Sequence, residues 1–178
     1  MKKYELTDET MEVCGRTLHR IRALRDIGTN VKKDDLGGFI ESESNLSQDD
    51  DCWVFGLAMV WDSAKVYGNA MVCGEAKIFD SAVVYGNAEV CGCAWVCDSA
   101  EVCDNAKIFD SAVVCCNAKI FNSAVVCGCA QVCDSAKIYG NAKIFDYARV
   151  CDSAEIYGRA WVCDWAKICG CAMVYSDT

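Results

Sequence analysis

The chain has 178 residues, enough for one domain with a sizeable buried core, and 53% of them are apolar, which argues against a disordered chain. A formal net charge of −9 argues against nonspecific binding to nucleic acid or anionic membrane, because both need a basic face. No stretch reaches the roughly 20 apolar residues of a membrane span. The opening MKKYELTDET also lacks the apolar run of a signal peptide, so the expected compartment is the cytoplasm.

Sixteen cysteines would ordinarily mark a small secreted disulfide scaffold. This chain is too long and too regular to need staples, and in a reducing cytosol the residues are expected as free thiols.

In chain order, residues 1–51 form a first unit without repeats. Alternating stretches around Glu12–Cys14 and Arg16–Leu24, joined near Gly15, predict a β-hairpin. Its expected role is to cap the apolar end of the repetitive unit, because solenoids need polar end caps.

Residues 52–178 are expected to be that single repetitive unit. From Ala58 to Ala172 an alanine recurs every six residues, 20 times without a break, and a Val or Ile stands two residues after each one. The unit reads Ala-x-Val/Ile-x-Gly/Asp-x, as in AKVYGN and AKIFDS, and Cys52-Trp53-Val54 begins an imperfect first copy. Residues two apart point to the same side of a strand, so the alanine and its β-branched partner face inward together. Gly, Asp, Asn and Ser close each unit, where the chain must turn.

Six residues suit one flat side and one corner. An 18-residue super-period shows that three sides close each coil: Asp-Ser corners recur at Asp62-Ser63, Asp80-Ser81, Asp98-Ser99, Asp134-Ser135 and Asp152-Ser153, and Gly-Asn corners at Gly68-Asn69, Gly86-Asn87 and Gly140-Asn141. The predicted fold is therefore all-β, a triangular parallel β-solenoid of about seven coils stacked about 4.8 Å apart, or about 34 Å long.

These units resemble the repeats of the left-handed β-helix hexapeptide proteins. LGGFIESESNLSQ (residues 36–48), followed by Cys52-Trp53-Val54 and the VYGNA-type units, is similar to the YdcK-like bacterial and phage group. The left-handed sense and a phage or prophage origin are what the resemblance implies. Acyltransferases of the hexapeptide type use a catalytic histidine, and related carbonic anhydrases hold a metal with three. This chain has one histidine, His19, outside the coils, and no insertion interrupts its units. The expectation is a protein without catalytic residues and without a cofactor, in which His19 is a hairpin side chain.

The cysteines are ordered. At the outward position after Val/Ile one side of the solenoid reads Trp61, Phe79, Cys97, Cys115, Cys133, Cys151, Cys169, and Cys116 interrupts the Asp column beside it. Rows of thiolates suit Cu(I) or Zn(II), so Cys97, Cys115, Cys133, Cys151 and Cys169 are candidate metal ligands. Against this, a straight column offers no tetrahedral cage, and the second side alternates Cys103 with Tyr67, Tyr85, Phe121, Tyr139, Tyr157 and Tyr175, as if thiol and aromatic were equivalent. Disulfides between coils are marginal in this reading: the Cα spacing is permitted, but parallel Cβ vectors about 4.8 Å apart exceed the usual Cβ separation.

The Asp column raises a further alternative, an acidic DNA mimic that inhibits a nucleic-acid enzyme. The coils carry 14 acids against 9 Lys and Arg, whereas duplex DNA would present roughly 20 charges over about 34 Å. Columns of outward Tyr, Phe, Cys and Trp leave a non-catalytic protein-binding or assembly module as the primary expectation. Nothing in the sequence covers the last coil. Ala160, Val162, Ala166, Ile168, Ala172, Val174 and Tyr175 are therefore candidate interface residues, for a homodimer or for an unidentified protein partner.

Overall fold

The computed structural model describes residues 2–177. Strands β1 (Tyr4–Val13) and β2 (Arg16–Ala23) pair antiparallel, with Val13 opposite Arg16. Their tight turn uses Cys14 and Gly15 at φ 52° and 76°, the doubly positive arrangement that matches the twist of a hairpin. Strand β3 (Leu36–Ile40) pairs antiparallel with β2 and then parallel with Met59–Val60, Phe39 facing Met59 and Ile40 facing Val60. A parallel bridge from Leu46 to Val66 continues this ladder on the next side. The stack thus begins before the repeats do. Residues 36–51 lay down an irregular rung, and with the seven regular coils the solenoid has about eight turns.

The regular coils build three parallel sheets. One runs from Met59–Val60 to Lys167–Ile168 and also carries β1 to β3. The second runs from Trp53–Val54 to Trp161–Val162, and the third from Lys65–Val66 to Met173–Ser176. Every rung pairs with the one 18 residues on, as Glu89 with Lys107 and Val90 with Ile108. Most sides contribute only two residues in strand conformation, because the Gly/Asp corner follows at once. That corner sits in the left-handed region, at φ 58° for Asp62 and 70° for Gly68, where Gly, Asp and Asn are the residues of least cost. The Val and Ile side chains point inward between alanines, and from Ala64 to Ile156 almost all of them are wholly inaccessible to solvent.

The corners are tied vertically. Asp80 Oδ2 accepts the Asp98 N–H at 3.3 Å, Asp98 Oδ2 the Cys116 N–H at 2.9 Å, and Asp152 Oδ2 the Gly170 N–H at 2.8 Å. Asn69, Asn87 and Asn105 form an amide ladder at 3.0 and 3.2 Å. Each of these aspartates thus satisfies a backbone donor one coil away.

The N-terminal unit closes the first end of the core. Tyr4, Ile21, Ile27, Val31, Ile40 and Leu46 join the same apolar cluster as Val54, Val60 and Val66. Lys3 is fully buried there; its Nζ donates to the Asp50 and Cys52 carbonyls at 2.8 and 2.9 Å and lies 3.3 Å from Cys52 Sγ. Burial holds this amine's pKa below the ordinary lysine range, with the nearby Cys52 opposing the shift. Asn45 Nδ2 donates to the Asp62 and Ala64 carbonyls, both at 3.0 Å, and so fastens the irregular rung to the first coil.

Candidate functional site

Thiols, aromatic rings and carboxylates concentrate on the outer surface of the coils, in the columns set by the 18-residue register. Cys97, Cys115, Cys133, Cys151 and Cys169 do form one column. It is not uniformly open: Cys133 and Cys151 are buried, Cys97 and Cys115 half-buried, and Cys169 exposed. All five are free thiols. Burial, reinforced by a hydrogen bond to Asp134, pushes the Cys133 thiol up to about 11. Its hydrogen bond with Cys97, and then burial, raise Cys115, while the same contact lowers Cys97.

On the adjoining side Cys73 and Cys91 are joined by a disulfide between successive coils, with Cα atoms 4.5 Å apart. The sequence left such a bridge marginal, with the Cα spacing permitted, and at this pair it forms. The local rung spacing is tighter than the nominal one, and the two side chains lean together rather than standing parallel. Fourteen other cysteines are free.

Among the described residues, three groups of possible metal ligands have donor atoms within 4.8 Å of one another: Asp98 with Cys115 and Cys116, Cys151 with Asp152 and Cys169, and Asp146 with Cys163 and Asp164. The straight column reappears here as a set of corner clusters. Cys97 and Cys133 belong to none of them, whereas Cys116, Cys163 and the three groups' aspartates enter from outside the column. The signal for Cys116 was present in the sequence, as the thiol that replaces an aspartate in the Asp column.

Aromatic rings stack coil upon coil. Trp61 and Phe79 are parallel at 4.6 Å between centroids, and Phe121, Tyr139, Tyr157 and Tyr175 stack in turn at 4.9, 5.1 and 5.3 Å. These ladders stabilise the sheet from outside. Trp95 meets Phe79 edge to face with Lys77 Nζ 4.9 Å above its ring, and the C-terminal coils repeat this arrangement. Tyr147 and Trp165 stack at 4.3 Å on a corner, Trp161 meets Phe145 edge to face, and Lys143 Nζ lies 5.2 Å above the Trp161 ring. Trp165 and Trp161 are 78% and 66% exposed, far more than a ring retained for packing.

The candidate interface residues divide. Ala160 and Val162 are buried within the chain itself, which removes them from the contact surface. Ala166, Ile168, Ala172 and Val174 are half-buried and Tyr175 is exposed. Trp161, Trp165 and Tyr147 were not anticipated as contact residues: Trp161 shares its slot with Trp53, Val125 and Lys143, and Tyr147 and Trp165 take a corner that holds Glu75, Cys93, Ser111 and Cys129 on other coils.

Some of the charge on the coils is paired. Lys107–Glu89, Lys119–Glu101 and Lys137–Glu155 pair across coils at 2.9, 3.1 and 2.9 Å. His19 lies on the hairpin with Nδ1 3.3 Å from the Thr7 carbonyl oxygen. No helix among the described residues is long and apolar enough to cross a membrane. No family model and no curated protein matches the chain.

Proposed function

We propose that the protein is a non-catalytic β-solenoid that serves as a protein-binding or assembly module, and that its C-terminal coils associate with a second copy of the chain. The observation that carries this reading is the cluster of exposed rings on those coils: Tyr147, Trp161, Trp165 and Tyr175. Exposed apolar surface marks contact sites, and Trp and Tyr are the residues that anchor them.

Two features favour a second copy as the occupant. Residues 142–177 carry 5 acids and 4 bases, so this segment holds −1 of the total −9 and copies meet there with little repulsion. The strands Trp161–Val162, Lys167–Ile168 and Met173–Ser176 are also the edges of their sheets, and sheet edges template pairing with another chain. A twofold arrangement closes the assembly, whereas head-to-tail stacking would make fibres, which the N-terminal cap opposes.

The similarity of residues 36–48 and of the repeated units to the YdcK-like left-handed group supports a cytoplasmic, phage-related member of the hexapeptide-repeat proteins. The pairing of Asp carboxylates with backbone N–H groups and of Lys with Glu leaves the acidic-mimic alternative less surface to work with.

Sedimentation velocity over a concentration series tests the proposal. The parent is expected to sediment as a dimer, and Trp161→Ser with Trp165→Ser, or Ile168→Lys with Val174→Lys, as monomers with unchanged circular dichroism. A parent that stays monomeric at the highest concentration would overturn self-association.

A further inference from the structure

Of the three thiol and carboxylate clusters, one has the composition and spacing of a metal site. Cys97 and Asp98 lie on one coil, and Cys115 and Cys116 lie directly above them on the next. The Cys115 and Cys116 Sγ atoms are 3.9 Å apart, and both lie within 4.8 Å of an Asp98 carboxylate oxygen. Cys97 stands one coil below Cys115 in the same column. Zinc–thiolate bonds are about 2.3 Å, so two sulfurs on one tetrahedron are about 3.8 Å apart. The observed spacing is therefore close to the edge of such a tetrahedron, with a carboxylate at hand and a third thiol in the column one coil below.

Cys116 is what breaks the straight column. It occupies a corner at φ 61°, a conformation that suits Asp, Asn or Gly and not a thiol. Asp62, Asp80, Asp98, Asp134 and Asp152 fill the same corner in other coils, and most use the carboxylate to bind a backbone N–H. Cys116 sets a second thiol beside that of Cys115, where Asp134 and Asp152 set a carboxylate beside Cys133 and Cys151. Residues that break a local rule without local gain concentrate at functional sites. Asp98 Oδ2 already accepts the Cys116 N–H, which orients the carboxylate and leaves its other oxygen for a cation. The cluster Cys151, Asp152, Cys169 lacks the third sulfur, because Gly170 stands where Cys116 does.

We propose that Cys97, Cys115, Cys116 and Asp98 form a binding site for one thiophilic d10 cation, with Zn2+ as the probe. Binding replaces three thiol protons by the ion, so three protons leave for each Zn2+ taken up. Two successive coils are thereby cross-linked at one corner. The site is independent of the assembly reading, since it lies on central coils away from Trp161 and Trp165.

The test uses the full chain, reduced with a phosphine and stripped with a chelator. Zn2+ is titrated in competition with a chromophoric chelator, and Cd2+ binding is followed by sulfur-to-metal charge-transfer absorption. The parent is expected to take up one tight equivalent and to melt at a higher temperature with Zn2+ than without. Cys116→Asp restores the residue of the neighbouring corners and should keep the metal-free melting temperature while weakening binding at least tenfold. Cys97→Ser should weaken it likewise, and Cys129→Ser, on another corner, should not. A parent that cannot compete with the chelator, or a Cys116→Asp protein that retains the tight equivalent, would overturn the proposal.

Discussion

Replacing Ile120 with alanine lowers the stability of the protein by about 2–5 kcal/mol, the range for truncating a buried Ile or Leu. Replacing Lys119, its neighbour on the same strand, costs less than about 1 kcal/mol, the worth of an exposed ion pair. Ile120 is inaccessible to solvent and sits between Val102 and Ile138 in the rungs on either side. Truncation therefore opens a void facing two coils, and a narrow interior filled by alanine and valine has little freedom to collapse into it. Lys119 points outward, with Nζ 3.1 Å from Glu101 at a surface where water competes for both charges. For a chain of this size each kcal/mol shifts the melting temperature by about 2–4 °C, so the two variants separate clearly in a thermal melt. Equal effects at both positions would contradict the inward–outward alternation on which the solenoid rests.

A second large effect is expected where the N-terminal unit meets the first coil. A Cβ on Gly37 would lie 2.6 Å from the Val54 carbonyl oxygen, and one on Gly38 would lie 2.7 Å from Val54 Cγ1 and against the Ala58 carbonyl. The atoms that obstruct Gly38 are mostly backbone and cannot swing aside. Gly38→Ala must then push β3 off the Met59–Val60 rung, which uncovers Ile40 and Val60 and loosens the cap. Overpacking of this kind costs about 1–3 kcal/mol, with the added result that residues 1–51 become sensitive to limited proteolysis. Lys65→Ala is the control: that side chain is exposed on a rung of the first coil, and surface substitutions of this kind stay within about 0.5 kcal/mol. Denaturant midpoints for the two variants that coincide would show that β3 does not seal the solenoid.

The repeat made most of the fold legible, because a strict six-residue period fixes inward and outward positions, corners and the 18-residue register without any tertiary knowledge. The hairpin was legible for a similar local reason, the Gly15 turn between two alternating stretches. The irregular rung was not. Phe39 and Leu46 each pair with a residue 20 positions on, not 18, and that register is set by the close approach of Gly37 and Gly38 to the first coil and by the Asn45 amide. Lys3 was equally silent: nothing marks a lysine beside the N-terminus as buried until the carbonyls of Asp50 and Cys52 come to meet it.

The thiols were half legible. Their column arises from the period, but its uneven burial, the Cys73–Cys91 bridge and the corner cluster around Cys116 depend on how side chains lean at each rung. Exposure is also a property of the folded surface. Trp161 and Trp165 read as two more outward residues until the structure shows them standing clear of it.

If the C-terminal coils are a contact surface between copies, their amides must be protected when copies meet. Hydrogen exchange followed by mass spectrometry, at low and high protein concentration, addresses this residue by residue. Amides of the edge strands Trp161–Val162, Lys167–Ile168 and Met173–Ser176 should exchange markedly more slowly at high concentration, while those of central rungs such as Lys107–Ile108 keep the same rate. Exchange in the edge strands that is fast and independent of concentration would contradict self-association through these coils.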